Sequence, residues 1–140
     1  MKIKLTAKQV HVIYPALDEV IQNNRTMPFK GKYRLGRWHA KLQPEYWNVE
    51  NRRVGLIKGY DCPQMQTDLE GVETPVPGGY RVPPEKDDEY QEQMKGVFEE
   101  TLTFDMELVP YELVLSDDAG AITASELARI GDLIAEPVEE

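Results

Sequence analysis

The sequence predicts a mainly α protein: an antiparallel helical hairpin with a Pro/Gly-rich tip, a short N-terminal helix, a minor β element and a short C-terminal helix. Three observations carry that expectation. Leu35, Leu42, Val49 and Leu56 recur every seven residues, the spacing that keeps one side of a helix against a partner. Tyr90, Met94, Val97 and Phe98 make a second apolar face at i, i+4, i+7 and i+8. Between these runs, Pro63, Pro75, Pro77, Pro83 and Pro84 exclude a continuous helix. At 140 residues the chain suits a single domain, 1–140, with 60–84 as a protruding loop or hairpin tip. That length buries a core without staples.

Each element has its own local signal. Thr6 and Gln9 have the spacing of a capping box. Val10, Ile13, Leu17, Val20 and Ile21 follow at helical intervals, with Pro15 among them. The preferred reading is one helix over 7–23, kinked where proline removes a backbone bond. A strand through Val10–Tyr14 with a helix from Pro15 is the alternative. Asn23-Asn24 ends the element, and "RTMPFKGK" connects it to the next. The second helix spans 32–59, with Trp38 and Tyr46 on or beside the seven-residue stripe. Pro44 predicts a kink in it, and Gly59 closes it.

The segment from Tyr60 to Pro84 is a long excursion. Gly78-Gly79 offers a tight turn, flanked by Val76 and by Tyr80–Val82 as a small hairpin. A loop of this length is uncommon in a compact domain and often has a function. Pro84 suits the first position of a helix running to about Leu102. "TFDMELVPYELVL" alternates apolar residues at Phe104, Met106 and Leu108, which predicts an extended segment pairing with Ile3–Leu5. Thr123 and Glu126 form a second candidate capping box. It opens a final amphipathic helix through Leu127, Ile130, Leu133 and Ile134.

The net charge of −9 hides a division. Residues 1–60 hold twelve Lys/Arg against four Asp/Glu, whereas residues 61–140 hold four against twenty-one. Laid side by side, the two long helices would match. Nine cations over 25–58 would face Glu85, Asp87, Asp88, Glu89, Glu92, Glu99 and Glu100. Exposed ion pairs contribute at most about 1 kcal/mol each. Buried large apolar side chains contribute roughly 1.5–3 kcal/mol each. Packing therefore holds the hairpin, and charge selects its orientation. Nucleic-acid binding would need Arg34, Arg37, Lys41, Arg52, Arg53 and Lys58 to face outward as one patch. Trp38 on the apolar stripe and the acidic second half argue against that.

Little in the chain recommends chemistry. His11, His39 and Cys62 are far apart, without a CxxC or HxxxH pair, so no metal site is expected. The lone Cys62 forms no internal disulfide, which favours a reducing compartment. Asp87-Asp88 and Asp117-Asp118 are adjacent pairs, suited to helix starts and turns. GxxxxGK[ST], GxGxxG and GxSxG are absent. No catalytic or cofactor-binding residues are assigned, and no small-molecule substrate is expected. "MKIKLTAKQV" lacks the apolar run of a signal peptide. No stretch approaches the roughly 20 apolar residues of a membrane span. A soluble protein without a visible address is expected.

"KLTAKQV", "YPALDEV", "KYRLGR", "GGYRVPPE", "EYQEQMKGVFEETLTFDMELV" and "ITASELARIGDLI", taken in order, resemble a family of small accessory or structural proteins of tailed bacteriophages and prophages. The likeness is one of pattern and order over most of the chain. It implies a phage origin and no known catalytic residues. Pro44 inside the long helix and the long proline-rich tip depart from the family plan. The expectation is a non-enzymatic virion or assembly component, located in the virion or in host cytoplasm during infection. Its partners would be other virion proteins, with homo-oligomer contacts as a further expectation. Tyr60, Met65, Leu69, Val76, Tyr80 and Val82 are the candidate partner interface. For Tyr80 and Val82, packing of the hairpin itself is the competing role. The alternative function is a regulatory or counter-defence factor that binds a host protein through the acidic half.

Overall fold

The computed structural model describes residues 2–136. Lys2–Thr6 form strand β1, and Thr6 also caps helix α1, Ala7–Gln22. Thr6 Oγ1 accepts the Gln9 amide at 3.1 Å, and Gln9 Oε1 accepts the Thr6 amide at 2.7 Å. Two donors orphaned at a helix start are thereby satisfied. Pro15 lies inside α1. Helix α2, Phe29–Gly59, contains Pro44 and is about 46 Å long at the standard rise. Strands β2, Pro63–Thr67, and β3, Glu73–Tyr80, follow. A 3₁₀ turn at Pro84–Lys86 leads into α3, Asp87–Phe98. Strands β4, Thr101–Asp105, and β5, Val109–Pro110, precede α4, Ala124–Arg129. A 3₁₀ turn, Gly131–Leu133, ends in β6, Ile134–Ala135.

The strands form three two-stranded sheets among the described residues. β1 and β4 run antiparallel, with Ile3 opposite Phe104 and Leu5 opposite Leu102. β2 and β3 are antiparallel, and β5 and β6 are parallel. The main core gathers Val10, Ile13, Leu17 and Val20 of α1, Leu35, Trp38 and Leu42 of α2, and Phe104 of β4. The C-terminal segment closes it with Val109, Val114, Ile130 and Leu133. Trp38 is fully buried and donates Nε1–H to the Glu107 carbonyl at 3.0 Å, so its one polar atom is satisfied. Gly31 lets α2 touch the Leu113 turn, because a Cβ there would lie 1.9 Å from the Leu113 carbonyl oxygen.

The expected mainly helical hairpin is not the architecture. Of the described residues, 55% are helical and 21% are strand, a mixed α/β fold. The main partner of α2 is α1, not the acidic helix. Leu35, Trp38 and Leu42 are buried against α1, whereas Val49 joins Ala7, Met94 and Val97 in a second, smaller cluster, with Leu56 partly buried against it. The physical reason is apolar area: α1 buries seven residues and α3 only two. Burial of that size outweighs surface charge matching. The helix expected to reach Leu102 stops at Phe98, with Glu99 as C-cap. Thr101–Asp105 instead pairs with β1, where a β-branched, alternating sequence packs well.

Two further elements differ from expectation. The turn of the excursion is at Asp68–Val72, and Gly78-Gly79 lies within β3. Gly78 adopts φ 71°, on the strand opposite a register shift between Pro63 and Met65, which is a glycine role at β-bulges. The C-terminal helix ends at Arg129, because Ile134 leaves the helical path to pair with Val109. Its capping box does form: Glu126 Oε1 accepts the Thr123 amide at 3.0 Å, and Thr123 Oγ1 accepts the Glu126 amide at 3.1 Å. Glu126 is buried and also holds Arg25 at 2.9 Å. Burial pushes its carboxyl up, but the Thr123 amide and the Arg25 guanidinium bring it net below the ordinary value.

Candidate functional site

From Glu50 to Gln93 no residue is buried. This stretch is an arm: the last third of α2, the β2–β3 hairpin and the first half of α3. Its ends are rooted by Val49, Met94 and Val97. The hairpin strands pack chiefly on each other. The tip is ordered by one carboxylate. Asp68 Oδ1 accepts the Glu70 and Val72 amides, both at 2.9 Å, while the Asp68 amide donates to the Val72 carbonyl at 3.0 Å. Gly71, at φ 81°, supplies the left-handed residue the turn requires.

The six residues expected at a partner interface all lie on this arm, in three settings. Leu69 stands at the tip and is fully exposed. Met65 and Tyr80 are each 40% exposed on the strands. Met65 pairs with Pro75 and Pro63 pairs with Tyr80. Directly opposed residues share a face, so the register shift brings Met65 and Tyr80 to one side and leaves Val76 on the other. Val76 and Val82 are half-buried, and Tyr60 is half-buried at the C-cap of α2. The Tyr60 hydroxyl is shielded from solvent and lacks a hydrogen bond of good geometry among the described residues. Burial first and the Glu89 carboxylate second raise its pKa. Val54 and Val72 are also exposed on the arm, and sequence reasoning missed both. Val72 follows Gly71 in the turn, which was the available signal for it.

The arm is anchored where α1 crosses α2. His11 Nε2–H donates to Glu50 Oε1 at 2.5 Å, and Arg53 donates to both Glu50 oxygens at 3.0 Å. His39 pairs with Asp18 at 2.9 Å. Between the two histidines the rings stack in series: His11 on Tyr46, Tyr46 on Tyr14 and Tyr14 on His39, with centroids 4.6–5.4 Å apart. The Arg53 hydrogen bonds, offset by burial and aided by His11, hold the Glu50 carboxyl down at about 2. Burial raises the hydroxyls of Tyr14 and Tyr46. Both histidines therefore serve as helix clasps. Among the described residues, no three His, Cys, Asp or Glu side chains converge as a metal site.

The proposed charge match between the basic and acidic helices is largely absent. Arg52 reaches Glu100, just past α3, at 2.6 and 3.0 Å. Arg53 is engaged by Glu50 within its own helix. Arg34 and Arg37 instead line a groove of about 530 Å3 with Lys30, Tyr33 and Trp38, facing Asp105, Met106 and Glu107. Of the six cations that a nucleic-acid patch would need, Arg34 and Arg37 line this groove while Arg52 and Arg53 are held by Glu100 and Glu50. Among the described residues, no helix is long and apolar enough to cross a membrane. The chain matches no family model, no curated protein and no solved structure.

Proposed function

We propose that this chain is a non-enzymatic protein of a tailed bacteriophage, a virion or assembly component that docks on other protein subunits through its arm. One observation carries the reading: an ordered hairpin presents Met65, Leu69, Val72 and Tyr80 to solvent. Its own chain leaves Leu69 wholly uncovered and the other three partly so. Single exposed apolar side chains are ordinary, but several on one projection mark an interaction surface. A two-stranded hairpin alone is marginal in water, so a partner that covers one face also stabilises it. The phage setting rests on the sequence resemblance. Mass spectrometry of purified particles of the encoding phage tests the reading, with cross-linking to locate the arm. The chain is expected in the particle, with cross-links from the arm to another subunit. Its absence from the particle would sink the virion role.

A second reading is favoured by the exposed acidic start of α3, where Asp87, Asp88 and Glu92 lie in solvent. In that reading the acidic face binds a host protein as a regulatory or counter-defence factor. Pull-down from infected extract separates the two: a single host partner supports the second, and virion proteins alone support the first.

A further inference from the structure

We propose that the arm tip of one copy inserts into the basic groove at the far end of α2 of the next copy, building a head-to-tail assembly. This rests on the reading of the arm as a docking element and names what it docks on.

The two surfaces are complementary in shape class and in charge. The groove rim carries Lys30, Arg34 and Arg37, spaced i, i+4 and i+7 on one face of α2. Tyr33, 60% exposed, supplies most of its apolar surface, with the edge of Met106 beside it and the buried Trp38 beneath. At about 530 Å3 it lies within the roughly 300–1,000 Å3 typical of binding clefts and takes more than one side chain. The tip offers an apolar knob, Leu69, flanked by the exposed carboxylates of Glu70 and Glu73. Over residues 61–93 the arm holds nine Asp/Glu against Arg81 and Lys86. Asp105 and Glu107 on the opposite wall set the polarity of entry. Glu70 and Glu73 face the α2 rim, and the uncharged Gln66 and Thr74 edge faces the acidic wall.

The tip is also pre-ordered, since the Asp68 side chain already holds the Glu70 and Val72 amides. Little ordering cost remains to be met on docking. A chain cannot satisfy its own groove. Arg34 and Gly59 are separated by about 38 Å of helix, and the hairpin starts beyond Gly59 and packs chiefly on itself. Each contact therefore joins unlike surfaces. Such heterologous contacts close into rings or extend as filaments.

The test uses the full chain in sedimentation velocity over a concentration series, at low and high salt. Wild type is expected to form species larger than the monomer at low salt, reduced by high salt through screening of the rim contacts. Leu69→Asp and the pair Arg34→Glu/Arg37→Glu should each sediment as a monomer, with thermal melts matching wild type. Mixing the two variants is decisive. One retains an intact groove and the other an intact arm, so the mixture should form a 1:1 dimer and stop there. A wild type that stays monomeric, an oligomer indifferent to the groove charges, or a mixture that fails to dimerise overturns the proposal. So does a groove variant that loses retention on DNA or RNA while its mass is unchanged, which would make the groove a nucleic-acid site. Particle incorporation distinguishes failure of this inference from failure of the docking reading. If only Leu69→Asp blocks incorporation, the arm docks on another protein; if neither variant matters, both readings fall.

Discussion

Replacing Glu50 by Gln removes the charge that ties α1 to α2 at the root of the arm. The carboxylate receives both Arg53 donors and His11 Nε2–H and is only 16% exposed. Its pKa is lowered from an ordinary 4.5 to about 2. A folded-state pKa below the unfolded one means that the charged form favours folding. The contribution is complete above the unfolded value and is lost as pH falls through the folded one. At 1.36 kcal/mol per pKa unit, the stabilisation is at most about 3 kcal/mol near neutral pH. Between pH 4.5 and 2 it should fade by roughly 1.4 kcal/mol per pH unit. Urea unfolding of wild type and Glu50→Gln across pH 2–7 measures this directly. The stability gap is expected to be widest at pH 6–7 and to narrow steadily below pH 4.5. If the two proteins show parallel pH profiles, Glu50 is not clasped as described and the electrostatic account of the seam is wrong.

Two more perturbations probe the fold and the arm separately. Gly31→Ala places a Cβ 1.9 Å from the Leu113 carbonyl oxygen, a backbone atom. A loss of about 3 kcal/mol or more, seen as a drop in melting temperature, is expected. Asp68→Ala removes two side-chain bonds at the exposed tip. The Val72 amide should lose protection from hydrogen exchange while global stability changes by no more than about 0.5 kcal/mol.

The parts of the fold legible from residues alone are those governed by neighbours a few positions away. Thr6 with Gln9 and Thr123 with Glu126 form capping boxes because both partners sit within one turn. The run Val10, Ile13, Leu17 marks a helix whatever it packs against. The exposed apolar residues of 60–84 could be chosen as an interface because Pro63, Pro75 and Pro77 rule out a helix there. Their grouping could not. Which of Val76 and Tyr80 shares a face with Met65 depends on a register shift. The location of the turn depends on Asp68 outcompeting Gly78-Gly79. The groove was not anticipated, since Asp105 and Met106 are brought to Arg34 only when β4 pairs with β1.

Periodicity and capping boxes dictated that α1 starts at Ala7 and α4 at Ala124, because those effects are spent within four residues of chain, whereas the ends of α3 and α4 were set by strand pairing. The choice of α1 over α3 as the partner of α2, and with it the freedom of the arm, emerged only on folding. Long-range pairing is settled by the total apolar surface each candidate can bury. Seven buried residues on α1 against two on α3 outweigh a charge match that water screens.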